Sequence, residues 1–124
     1  MQLLHAEGAL HLRFSSRYNA LTTFEREATT TGIWPLWERD VVEVFLQAPQ
    51  DVGTRRYREI EVSPNGFVMD LEVDGQGRKR LIDACQARVS RDERHRMWTA
   101  ELSIPLPALA TTIMMRMEKI HTSS

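Results

Sequence analysis

The sequence predicts an all-β domain, an antiparallel β-sandwich formed by residues 1–124 as one unit. Three observations lead there. Apolar and polar residues alternate with period two wherever a period can be read. Turn-forming clusters such as Ser63-Pro64-Asn65-Gly66 and Asp74-Gly75-Gln76-Gly77 separate the alternating runs at near-regular spacing. A chain of 124 residues with 42% hydrophobic and 27% charged content can bury one core without a metal or a disulfide.

The elements follow in order. Leu10, Leu12 and Phe14 alternate with His11, Arg13 and Ser15, the pattern of a half-buried strand. Residues 16–37 mix their signals around Thr29-Thr30-Thr31-Gly32 and are expected to form a long surface loop, a place where function concentrates. Val42, Val44 and Leu46 against Glu43, Phe45 and Gln47 give a second strand. Ala48 to Arg55 is a connecting turn. Tyr57 to Val62 and Phe67 to Val73 flank the Ser-Pro-Asn-Gly turn, in which proline presets one torsion and Asn-Gly accepts positive φ. Leu81 to Val89 and Met97 to Ile104 are two further strands around a charged turn, Ser90 to His95. Pro105 and Pro107 end the last of these, and one short helical turn is expected over 105–109. Ile113 to Ile120 fits a final strand or a short helix.

Composition narrows the partners. A net charge of −1 with interspersed acids and bases gives no field to attract nucleic acid or an anionic membrane. No stretch approaches the ~20 apolar residues of a membrane helix, and Met1 to Leu12 lacks the basic start and apolar core of a signal peptide. Cys85 is the sole cysteine, which excludes an internal disulfide and a cysteine-rich metal cluster. Its apolar neighbours suggest a packed thiol.

No glycine-rich phosphate loop and no Gly-x-Ser-x-Gly pentapeptide occurs, and His5, His11, His95 and His121 do not stand at metal-ligand spacing. Neither a metal nor a cofactor is expected. Carboxylates do cluster: Asp40 and Glu43 open one strand, and Glu59 and Glu61 share one face of the next. Residues two apart on a strand lie ~6.6 Å apart, within the ~5–9.5 Å that glycoside hydrolysis needs, but solvated sheet positions or hydrogen-bonding groups at a binding face explain them better. Trp34 and Trp37 sit where the long loop meets a strand, either packed inward or presenting an indole on which sugar C–H faces stack. Trp98, mid-strand among alternating apolar residues, is assigned to the core.

Three blocks then carry a resemblance. Leu36-Trp37-Glu38-Arg39-Asp40-Val41-Val42-Glu43-Val44-Phe45-Leu46, Tyr57-Arg58-Glu59-Ile60-Glu61-Val62-Ser63-Pro64-Asn65-Gly66 and Trp98-Thr99-Ala100-Glu101-Leu102-Ser103-Ile104-Pro105-Leu106 resemble, in order, motifs of family 9 carbohydrate-binding modules and their DOMON-like relatives. The resemblance spans about residues 9–109. It implies an antiparallel sandwich that binds carbohydrate without cleaving it, attached to or accompanying secreted polysaccharide-degrading proteins. Carried over residue by residue, it implies Trp37 as one sugar-clamping indole, with Glu43, Glu61 and Ser63 on the sugar hydroxyls. Glu61 and Ser63 stand where binding members carry a basic and an amide residue, which alters the pocket chemistry. The second clamp tryptophan and closing strands of the family have no counterpart before Ser124, and a strand usual before the one at Leu10 is not evident. The family's metal sites are not carried over. On that reading the fold is incomplete, sugar affinity is weak, and an open sheet edge invites self-association. The alternatives are a structural or protein-interaction sandwich with a decayed site, a haem-binding DOMON domain using Met69, Met97 or His11, and a glycoside hydrolase.

Overall fold

Alternation and turn chemistry resolve into two antiparallel sheets in the computed structural model, which describes residues 2–6, 8–21, 40–105 and 114–121, the first and last of these as backbone. Strands β1 (Gln2–Ala6), β2 (Ala9–Arg17), β7 (Gln86–Asp92) and β8 (Met97–Pro105) make a four-stranded sheet in the order β1-β2-β8-β7. Strands β3 (Val41–Gln47), β4 (Tyr57–Val62), β5 (Val68–Val73), β6 (Lys79–Leu81) and β9 (Met114–His121) make a five-stranded sheet in the order β6-β5-β4-β3-β9. The protein is all-β, with one 3-10 turn at Pro49–Asp51 among the described residues.

The hairpins are closed by the residues that the sequence marks as turns. Between β4 and β5, Gly66 donates its N–H to the Ser63 carbonyl at 3.0 Å and takes φ 91°, where a side chain would be strained. Between β5 and β6, Asp74 folds the chain by accepting the N–H groups of Gln76 (2.8 Å) and Arg78 (3.0 Å) on one carboxylate oxygen.

The sheets face each other across the main core. Leu10, Leu12 and Phe14 of β2 and Trp98, Ala100, Leu102 and Ile104 of β8 meet Val42, Val44 and Leu46 of β3 and Ile60 and Val62 of β4, with Cys85 completing the cluster. Each strand contributes every second residue, as the pleat requires. Trp98 is buried there, as its alternation indicates. The other face of the four-stranded sheet is polar: His11, Arg13, Ser15, Arg88, Ser90 and Glu101 are exposed on it.

One buried ion pair ties the sheets to the crossover between them. Asp70 of β5 takes Arg58 of β4 in a two-pronged contact, Nε to Oδ1 at 2.8 Å and Nη2 to Oδ2 at 2.7 Å. Its Oδ2 also accepts the N–H groups of Ala84 (2.9 Å) and Cys85 (2.8 Å), and its carbonyl accepts that of Ile82 at 2.9 Å. Arg58 reaches on to the carbonyl of Pro105, at the end of β8, at 3.3 Å. Residues 82–85, with Asp83 at φ 53°, are thereby held in the path that leaves the five-stranded sheet and enters the four-stranded one.

That clamp explains a difference from expectation. The run Leu81 to Val89 is not one strand: β6 ends at Leu81 and β7 begins at Gln86, because the intervening N–H groups are spent on Asp70 rather than on a ladder. Two boundaries also move. A strand, β1, does precede Leu10, and β2 continues through Ser16 and Arg17, opposite Trp98 and Met97, instead of entering a loop. Residues 114–121 form strand β9, antiparallel to β3. The helical turn expected over 105–109 has Pro105 as the last residue of β8, and 106–109 lie outside the described residues. Edge strand β6 is three residues long and exposed throughout, and edge strand β7 exposes Arg88, Arg91 and Asp92. Short or charged edges of this kind resist strand addition. Among the described residues no helix is long and apolar enough to cross a membrane.

Burial by itself would raise the Asp70 carboxyl, but hydrogen bonds from Arg58, Ala84 and Cys85 outweigh it and hold it below the ordinary aspartate value of 3.8. A folded value that is depressed adds stability above the ordinary value, and this is lost as pH falls through the folded one. Asp70→Ala is therefore expected to cost about 3–5 kcal/mol in urea unfolding at pH 7, by stranding a buried guanidinium and two amides. The penalty should shrink as pH falls below the ordinary value of 3.8 and through the depressed folded one, and an effect under about 1 kcal/mol at pH 7 would remove the clamp from the account of the fold.

Candidate functional site

The outer face of the five-stranded sheet, opposite the core, differs from its counterpart on the other sheet because it is buried. In β3 and β4 the register sets Glu43 opposite Glu61 and Phe45 opposite Glu59, and β5 continues the rows with Met69 next to Glu61 and Leu71 next to Glu59. Alternation sends these side chains away from Val42, Val44, Ile60 and Val62. Val41, Met69 and Leu71 form a second apolar cluster on this face with Phe67 against it. Within that setting Glu43, Glu59 and Glu61 are 1%, 9% and 0% exposed. One carboxylate oxygen from each lies within 4.8 Å of the others. On the other side of β3, the backbone register brings Glu118 of β9 opposite Glu43.

Three carboxyls this close cannot all ionise cheaply. Burial pushes Glu61 up to about 9, and the neighbouring Glu43 carboxyl and then Glu59 push it the same way, with Lys79 opposing. Burial likewise raises Glu59, again against Lys79. The Tyr57 phenol is raised by burial and then by the charges of Glu59 and Glu43, which places it in the same field. Among the described residues, neither oxygen of Glu61 has a hydrogen-bond partner of sound geometry. The contrast with Asp70 is direct: one buried acid is satisfied by four donors and its value falls, while the other lacks donors and its value rises.

Beside the carboxylates, Phe45 and Tyr57 are half-buried and in contact, their ring centroids 5.9 Å apart and tilted by 56°. Alternation from Glu43 and Glu59 identified the face that both share, but their side-by-side placement depends on the β3–β4 register, which sequence alone does not give. Glu59, considered in the sequence only as one of a generic pair, is the third member of the cluster.

The four residues singled out from the resemblance fare differently. Glu43 and Glu61 are cross-strand partners on one face. Both are sealed from solvent, so a ligand reaching them must displace part of their cover. Ser63 lies at the end of the same strand, but its hydroxyl is engaged in the turn: it donates to the Asn65 side-chain oxygen and accepts the Phe67 N–H at 3.1 Å. Trp37, like Trp34, lies outside the described residues. The haem ligands considered are not brought together. Met69 is on the buried outer face of one sheet, while His11 and Met97 belong to the other sheet, opposite positions of β8 and β2 at its two ends. His11 pairs with Ser103, roughly 20 Å along β8 from Met97 at ~3.3 Å per residue. Cys85 is buried, and burial with the Asp70 charge pushes its thiol up to about 12, so at neutral pH it stays protonated, as a packed cysteine should.

The sign for Glu61 is opposite to that for Asp70. Its folded value is raised, so the folded state holds a proton that the unfolded chain has lost, and stability declines as pH rises from the ordinary 4.5 toward about 9. In metal-free buffer the melting temperature of the wild type should fall across that window. Glu61→Gln, which keeps the shape and removes the charge, should flatten the decline and melt higher than the wild type at pH 8. A calorimetric pH series that is level for both proteins would show Glu61 to be ionised and satisfied.

The chain matches no protein-family model, no curated protein and no solved structure.

Proposed function

We propose that this chain is a non-catalytic binding module that recognises carbohydrate with the outer face of its five-stranded sheet. The observation that carries the reading is the pairing of Glu43 with Glu61: the two acids that the family 9 carbohydrate-binding resemblance aligns with sugar hydroxyls are direct cross-strand neighbours. They share a face with a half-buried aromatic pair, Phe45 and Tyr57. Aromatic rings that stack on sugar C–H faces, next to acceptors for hydroxyls, are the elements such recognition uses. Carboxylates that cleave a glycosidic bond flank it from two sides. Glu43, Glu59 and Glu61 instead converge from one side of one sheet, which favours binding over hydrolysis.

The chemistry fixes the limits of the reading. Ser63 contributes through the turn it builds more than through its hydroxyl, which is already engaged. With Glu43 and Glu61 sealed, part of the binding free energy goes into uncovering them, and affinity for free sugars is expected to be millimolar, at about −4 kcal/mol. Calorimetric or NMR titration with mono- and oligosaccharides is the test. Trp37→Ala should abolish binding, and Glu43→Gln and Tyr57→Ala should each weaken it, with the far-UV circular dichroism unchanged. Absence of binding to any sugar, or binding indifferent to all three substitutions, defeats the proposal; release of reducing ends from a polysaccharide would replace it with hydrolysis.

A further inference from the structure

We infer that Glu43, Glu59 and Glu61 together form a binding site for one hard divalent cation, Ca2+ being the ion that suits it best. The inference goes beyond sugar recognition and does not rest on it. Two observations carry it. The first is convergence: three side chains from two neighbouring strands each offer a carboxylate oxygen, and these lie within 4.8 Å of one another. Three oxygens spread evenly about a Ca2+ ion at about 2.3–2.6 Å stand about 4.0–4.5 Å from one another, so oxygens already held within 4.8 Å need shift by no more than about a few tenths of an ångström for one ion to touch all three. The second is the state of Glu61, whose side chain is 0% exposed and whose two oxygens both lack a hydrogen-bond partner among the described residues. Buried carboxylates are ordinarily satisfied by donors, as Asp70 is, or by a cation.

Charge accounting among the described side chains agrees. The cation that opposes the acids is Lys79, exposed on the short edge strand β6. Three ionised carboxylates and one ammonium leave two negative charges, which one divalent ion balances. An all-oxygen ligand set selects Ca2+, Mg2+ or Mn2+ over metals that prefer nitrogen or sulfur. Ca2+ tolerates irregular geometry better than Mg2+, which demands a near-ideal octahedron. The remaining coordination positions fall to water or backbone carbonyls, and Glu59, the least buried of the three, marks the side from which an ion enters.

The test uses the full chain, stripped with EDTA, dialysed and titrated calorimetrically with CaCl2, with MgCl2 and MnCl2 in parallel and no sugar present. One ion per chain and a higher melting temperature in its presence are expected. Glu61→Gln and Glu59→Gln should each weaken binding by at least the 10- to 100-fold that loss of an outer-shell partner costs. Both keep side-chain shape, and either one that retains the wild-type circular dichroism suffices. Preference for Mg2+ or Mn2+ with the same dependence on the two glutamates supports the site with a different occupant. No heat and no melting shift with any of the three ions, or wild-type affinity in both variants, overturns it. Because sugar is absent throughout, failure here leaves the carbohydrate proposal standing, and the converse holds.

Discussion

A single buried carboxylate, that of Asp70, decides how the two sheets of this protein are joined. It stands on the core-facing side of β5, where an unpaired charge would cost several kcal/mol, and is offset by a forked guanidinium and two backbone amides. Two different parts of the chain, β4 and the crossover at residues 84–85, supply those donors, and Arg58 extends the contact to the end of β8. The chain that leaves β6 is thus fixed in direction before β7 begins. The packing of Cys85 into the core and the seating of β7 beside β8 both follow from that direction.

The same sheet treats its two faces with opposite chemistry. On the inner side the buried acid is saturated with donors. On the outer side Glu61 is surrounded by apolar residues and other acids, so that charge is expelled or must be balanced from outside. Strands β3, β4 and β5 are consequently buried on both faces, whereas β2 and β8 alternate cleanly between core and solvent. The asymmetry matters for function. A polar, solvated outer sheet needs no partner, but a sheet whose outer face holds three sealed carboxylates stores electrostatic free energy that a ligand of suitable charge or hydrogen-bonding capacity can release.

How much of this was legible follows from the range of the interactions. The alternation of Leu10, Leu12 and Phe14 and of Trp98 to Ile104 is local, and it placed β2, β8 and the core correctly. Tyr57 to Val62 and the Ser-Pro-Asn-Gly turn were equally readable because proline, asparagine and glycine act on their own torsions. The break between β6 and β7 was not, since it depends on a side chain more than ten residues away in the chain. Strand β1, with adjacent leucines at 3 and 4, gives no period to read. For the site, the sequence brought out Glu43, Glu59 and Glu61 and the faces they occupy. It could not show that the face is buried, because a glutamate between valines looks the same whether it meets water or other acids. Register converts that ambiguous alternation into a cluster.

The position of the lone thiol has a practical consequence. Cys85 contributes its amide to the Asp70 contact and its side chain to the core, and as a protonated sulfhydryl it is inert where it sits. A modifying reagent can reach it only when the crossover lifts away from the five-stranded sheet. With one cysteine in the chain, the rate of its alkylation is a direct clock for that opening, free of any background from other thiols. The molecule thus carries its own sensor at the joint between its two halves.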